Sequence, residues 1–287
     1  MDMLGHCDIA LRSGLHDAEE VYGDGLLDLM LPNMLHCHDW AYAHMWQVDQ
    51  RPEDLLPAAR LVRSHIVADW VIHYGDEETH CKRKCGWAYR RMGIAKAACE
   101  RFFANARTAG LLRPEAVLPP DWNKKQQLDF HHSIIEYCLD LLLADALPSH
   151  HFRRMKAALS GLCGPDGAHW RARVNERFAQ LGATSDHDAI FLARSVEGMA
   201  RDAVAADRPD HFAIATVVRK YGFIGEPTAY AYVRRFLEEI AAQLDPQDVE
   251  HTLADIAEVV ADPLSIYTGS YDAAPDAGGT AHECVHA

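Results

Sequence analysis

From about residue 55 onward, apolar residues return at three- and four-residue intervals in one segment after another, the spacing of an amphipathic helix. The pattern runs through "LLPAARLVRSHIVADWVIHYG", "GIAKAACERFFANARTAGLL", "KKQQLDFHHSIIEYCLDLLLADAL", "HWRARVNERFAQLG", "DAIFLARSVEGMARDAVAA", "TAYAYVRRFLEEIAAQL" and "DVEHTLADIAEVVA". Asp or Ser often precedes these runs, and Gly or Pro often follows them, as helix caps and stops do. Alternating runs of Val, Ile, Thr and aromatics, which would mark strands, are nearly absent. The pattern predicts an all-α protein, a multi-helix bundle. "RPEAVLPPDWN" breaks it, because Pro119 and Pro120 forbid a continuous helix there. After residue 263 the periodicity gives way to "GSYDAAPDAGGTAHECVHA", so the expected partition is one helical domain over 1–263 and a flexible tail over 264–287.

Composition narrows the class. The chain has 287 residues, 49% of them hydrophobic and 24% charged, which suits a globular protein with a sizeable core. A formal charge of −14 opposes nucleic acid as a stable partner and opposes an anionic membrane surface. The longest apolar runs, such as "YCLDLLLADAL", are too short and too interrupted for a transmembrane segment. "MDMLGHCDIALRSGLHDAEE" lacks the basic start and unbroken apolar stretch of a secretory signal, so a cytoplasmic location is expected. The eight cysteines are scattered and are expected to be reduced thiols. Cys81 and Cys85, in "HCKRKCGW", form a single C-x3-C pair and give a closed zinc site little support.

Histidine changes the picture. There are 18, and many crowd the first half as "LHCHDWAYAH", "SHIVADWVIHYG" and "DFHHSIIEY". Residues four apart on a helix lie about 6 Å apart along its axis and are rotated by only about 40°, so His65, Asp69 and His73 share one stripe. His132, Glu136 and Asp140 repeat the i, i+4, i+8 design. A His-x3-acid-x3-His triple is expected by chance only about 0.2 times in a chain of this composition. The first stripe is flanked by Ile66, Val67, Trp70, Val71 and Ile72, and burying two imidazoles and a carboxylate without strong partners is costly. A metal ion removes that cost, and helical bundles build metal sites from such stripes on facing helices. A bland alternative remains: His/Asp pairs at i, i+4 are also common on helix surfaces.

"SHIVADWVIHYG" followed by "HHSIIEYCLDLLLA" resembles the paired signature of the zinc-dependent phospholipase C family, related to the S1/P1 nucleases. The resemblance spans roughly residues 16 to 145. It implies an all-helical fold around two or three zinc ions and hydrolysis of a phosphoester, or a related small substrate, by a metal-activated water. It places His65 and Asp69 on a first helix, with Asp69 bridging two metals, and His73, His132 and Glu136 on a further metal. Asp69 and Glu136 become the catalytic carboxylates, and Asp140 an outer-shell or capping residue. Iron or manganese would also suit such ligands. The family pattern further calls for an early His, a Pro-Asp turn and another His. The early His is His6 or His16, and the later one His36, His38 or His44. Asn33 follows Pro32 where the carboxylate is expected, leaving Asp28 or Asp39 to replace it. The absence of a signal peptide is a second departure, because the best-known members are secreted.

Two other readings use the same residues. The adjacent His38 and Asp39, with His16 before and Asp140 after, resemble the HD superfamily of metal-dependent phosphohydrolases and di-iron oxygenases. That pairing accounts for His65 and His73 only loosely and for Glu136 not at all. A non-catalytic metal-binding helical protein is the third reading; "SHHF" and "HECVHA" are more simply solvated histidines. "YGFIGEPTAYAYVRRF" is expected to be core, with Arg234 and Arg235 facing water.

Overall fold

A computed structural model of the chain describes residues 2–35, 57–75, 86–119, 121–161, 172, 176 and 189–262. These hold eleven helices: α1 (Met3–Arg12), α2 (Ala18–Val21), α3 (Gly25–Leu35), α4 (Pro57–Tyr74), α5 (Trp87–Thr108), α6 (Lys124–Ala144), α7 (Ser149–Gly161), α8 (Ala189–Ala205), α9 (His211–Lys220), α10 (Pro227–Ala241) and α11 (Pro246–Ala261). The described residues contain no strand, only an isolated antiparallel bridge between Leu112 and Phe223. The protein is all-α over these residues. No helix among them is long and apolar enough to cross a membrane. The region around "HWRARVNERFAQLG" and the tail from residue 263 lie outside the description, apart from the isolated helical positions 172 and 176.

Six of the seven predicted periodic segments appear as α4, α5, α6, α8, α10 and α11, and residues 113–119 and 121–123 are non-helical, as expected of a loop. Five elements were not anticipated. α1, α2 and α9 are short, α7 begins in "SHHF", and α3 runs on through Pro32. A proline inside a helix removes one backbone donor, so the carbonyl of Asp28 loses its i+4 partner there. Asn33 lies one residue further along the same helix.

The core has two apolar clusters. Phe102, Phe103, Phe130, Phe236 and Trp122 anchor the first, between α5, α6, α10 and α11. Leu26, Leu29, Met30, Leu61 and Ile66 anchor the second, around α1 and α3. Burying each large side chain contributes about 1.5–3 kcal/mol. Four helices supply residues to both clusters: α1 through Ile9 and Cys7, α4 through Val67 and Ile66, α6 through Ile134 and Ala144, and α9 through Ala213 and Phe212. α4 is buried nearly all round, against α1, α3, α5 and α11. Polar groups on α1, α4 and α6 face one another along the seam between the clusters.

Local chemistry sets the entry of each helix. α6 starts with a capping box, in which Asn123 and Gln126 each accept from the other's backbone N–H. The start of α1 is held from α6: the Asp140 carboxylate accepts from the backbone N–H of Leu4 at 2.7 Å and of Gly5 at 2.8 Å. Those are orphan donors of a helix N-terminus, and a carboxylate suits the positive end of the helix dipole. Gly86, just before α5, donates to the carbonyl of His73 at 2.7 Å. A Cβ at Gly86 would overlap the backbone of Ile72, so only glycine lets α5 begin this close to the end of α4. Cys7, Cys99 and Cys138 are buried free thiols.

Candidate metal centre

Six side chains from the seam helices form two groups, within each of which the potential ligand atoms lie inside 4.8 Å of one another. The first is His6 from α1 with His65 and Asp69 from α4; the second is His73 from α4 with His132 and Glu136 from α6.

The first group is sealed. His6, His65 and Asp69 are 1%, 0% and 3% exposed. The two imidazoles stack face to face, with ring centroids 3.5 Å apart and planes within 11°. Their Nε2 atoms approach different oxygens of Asp69, at 3.3 Å from His6 and 3.5 Å from His65. No ring nitrogen of either histidine makes a well-formed hydrogen bond among the described residues. Burial, with His65 beside it, pulls His6 down to about 3, so its ring is neutral at pH 7. Burial by itself would raise Asp69, but its interactions with His6 and His65 hold its carboxyl well below the usual range. Two imidazoles and a carboxylate, all dry, are the donor set of a divalent metal. Orphaned ring nitrogens in a site this buried fit an ion taking their lone pairs.

The second group opens toward solvent. His73 Nε2 lies 2.7 Å from Glu136 Oε1, with side-chain exposures of 17% and 8%. The His132 ring stands edge-on to His73, with centroids 5.4 Å apart. His132 Nδ1 lies 2.7 Å from the carbonyl of Leu128, one turn back on α6. A carbonyl only accepts, so Nδ1 carries the proton and Nε2 keeps its lone pair for the group; metal-binding histidines are oriented in this way. Tyr89 of α5 stacks on His132 at 4.9 Å and meets His73 edge-on at 5.5 Å. Burial lowers His132 to about 4, so it too is neutral at pH 7. Burial works to raise Glu136, and its interactions with His73 and His132 take it far below the ordinary carboxylate range.

Of the residues singled out in the sequence, the structure gathers His65, Asp69, His73, His132 and Glu136. The α4 stripe splits, its first two members in one group and its last in the other. His16 joins neither: Nδ1 lies 3.1 Å from Glu20 Oε2 and Nε2 3.1 Å from Ser64 Oγ, so both nitrogens are occupied. His36, His38 and Asp39, with His44, Cys81 and Cys85, lie outside the described residues. Asp28 is buried in α3 and stands apart from both groups. Asp140 caps α1. Arg234 does not simply face water: it pairs with the buried Asp210, which Arg208 also contacts at 3.3 Å. Phe223, Val233 and Phe236 are core, as expected.

His6 is the member the sequence left open beside His16. The signal that separates them is helical phase. Met3, Cys7 and Ala10 surround His6 on the buried face of α1, whereas His16 follows the Ser13-Gly14 break, where Gly14 has a positive φ of 70°. The chain matches no protein-family model, no curated protein and no solved structure.

Proposed function

We propose that the chain is a metal-dependent hydrolase resembling the zinc-dependent phospholipases C, cleaving a phosphoester or related small substrate with a metal-activated water. The observation that carries the reading is the convergence of four histidines and two carboxylates from α1, α4 and α6 into two adjacent groups along one seam. Zinc is the ion proposed, because imidazoles with a carboxylate suit it; the same donors also take iron or manganese.

His6, His65 and Asp69 would hold one ion, and His73, His132 and Glu136 another. Bound there, the ions would supply positive charge against the ester oxygens and lower the pKa of a water to about 7. The chain's own residues do the rest. Asp140 positions His6 by fixing the start of α1. The Leu128 carbonyl and the face of Tyr89 orient His132. Glu136, ionised at neutral pH and less enclosed than Asp69, can accept a proton at Oε1 from a group entering past His73. The sealed first group offers no such path.

Metal analysis of the purified chain tests this. Two or three zinc ions per chain are expected. His65→Ala and Glu136→Ala should each lose metal and, with it, hydrolysis of p-nitrophenyl phosphate or bis-p-nitrophenyl phosphate. Full metal content in both variants overturns the assignment, and two irons with an oxidase-type absorbance band point to an oxygenase instead.

A further inference from the structure

Beside the second group lies a cation that no ligand set uses. Lys220 is the last residue of α9, and its Nζ lies 3.4 Å from the Oγ of Ser133 and 5.4 Å from the centroid of the Tyr221 ring. Ser133 is buried on α6, next to His132 and three residues before Glu136, so it shares a face with the carboxylate. The ammonium reaches the ligand group across one turn of helix. Its charge acts on His132, and that of Glu136 acts on it.

Lys220 has no carboxylate within ion-pair distance among the described residues. Asp129, Glu136 and Asp2 act on it only from farther away. Burial of the ammonium lowers its pKa, although the residue as a whole is exposed. Burial raises the Asp2 carboxyl. Glu136 would give its charge to an ion. An ammonium with a hydroxyl beside it, no close counter-ion and access from solvent is a binding point for an oxyanion.

We infer that Lys220, steadied by Ser133, is the anion-recognition residue of the second group, and that it selects phosphomonoesters over phosphodiesters; this rests on the hydrolase reading above. The charge count carries the choice. A diester has one negative charge, which the metal ions neutralise, whereas a monoester has nearly two at pH 7. A third cation beside the ions has work to do only on the monoester. A purely structural lysine, placed to favour the negative end of α9, would not respond to phosphate.

Pyridoxal 5′-phosphate, followed by borohydride, tests Lys220 on the full metal-free chain. The aldehyde carbon forms an imine with Nζ as water leaves; hydride then adds to that carbon and solvent protonates the nitrogen, fixing the label for peptide mass spectrometry. Lys220 should label about tenfold faster than each of the other six lysines of the chain. Inorganic phosphate and glycerol phosphate should slow that labelling about tenfold, and dimethyl phosphate less than about twofold. Labelling spread evenly over the lysines, or unaffected by phosphate, overturns the anion site. Equal protection by dimethyl phosphate overturns the monoester choice.

On the zinc-loaded chain, Lys220→Met should weaken inorganic phosphate binding about tenfold in calorimetry, and Lys220→Arg by no more than about threefold, with zinc content unchanged in both. Wild-type affinity in Lys220→Met overturns the inference. A chain that takes up no zinc removes the hydrolase reading, while the labelling of Lys220 and its protection by phosphate still decide the anion site.

Discussion

The two ligand groups are built from the same residue types on the same helix, yet they differ in every physical respect that matters. His65 has no exposed side-chain surface, while His73, two turns along α4, keeps 17%. The imidazoles of the first group lie stacked with unsatisfied nitrogens. Those of the second are edge-on, and one is already oriented by a backbone carbonyl. Burial separates structure from chemistry here. On the proposed reading, the sealed group serves as a fastener that joins α1 to α4, and the open group, with Tyr89 and Lys220 around it, faces the substrate.

Metal removal is the strongest way to break this contrast. An ion held at about a thousand times its dissociation constant contributes about 4 kcal/mol to folding. Chelation should therefore lower the thermal midpoint by many degrees. Release followed with a zinc-sensitive dye should show two phases, the slow one missing in His65→Ala and the fast one missing in Glu136→Ala. A single phase, or loss of both ions in either variant, would show that the groups are not independent.

Acid sharpens the same comparison in the metal-free chain. His6 and His132 have folded pKa values of about 3 and about 4, below the 6.5 expected of an unfolded histidine. Between those limits the unfolded state binds more protons, so both rings favour folding above pH 6.5 and lose that contribution as pH falls. The contribution of His132 should be exhausted near pH 4, and that of His6 should persist to about pH 3. Asp2, Asp140 and Asp202, with raised carboxyls, act in the opposite sense. The clean measurement is thus a difference: metal-free His6→Ala should lose stability less steeply between pH 6.5 and 4 than the metal-free wild type. Equal slopes would mean that His6 is not buried neutral.

Asp140→Ala probes how the sealed group is assembled. It leaves the Leu4 and Gly5 N–H groups without their acceptor, at a cost of about 2 kcal/mol. Because α1 carries His6, the variant should also lose the slowly released ion and keep the fast one. Retention of both would show that α1 holds its place without the cap.

Much of this was legible in the chain. The helices with strong periodicity, α4, α5, α6, α8, α10 and α11, announced themselves, as did the proline-rich loop, because an apolar stripe at helical spacing has few other uses. Five of the six gathered ligands sit on α4 and α6 at i, i+4 spacing, which a reader can place on a helix without coordinates. The sixth required tertiary knowledge. α1 is short, and nothing in "MLGHCDIALR" says that a carboxylate 135 residues away holds it against the seam. Nor does spacing say where the stripe divides. His65, Asp69 and His73 look like one row, and only the neighbours supplied by α1 and α6 split it. Lys220 and Gly86 carry no signature at all, since their roles come from what packs beside them.

The smallest effect concerns the two early histidines. His16→Ala breaks contacts to Glu20 and Ser64, neutral or partly exposed partners, and should cost about 1 kcal/mol in denaturant unfolding. It should leave metal content and both release phases unchanged. His6→Ala removes a group with no hydrogen-bond partner of its own, so a purely structural histidine there would cost little beyond the cavity it leaves. If His6 is a ligand, the same change abolishes the slow phase. The pair therefore separates satisfaction from function: the histidine with two good hydrogen bonds should be the dispensable one, and the histidine with none should be the one the metal needs. A slow phase lost in His16→Ala and kept in His6→Ala would reverse that logic and move the early ligand to the far side of Gly14.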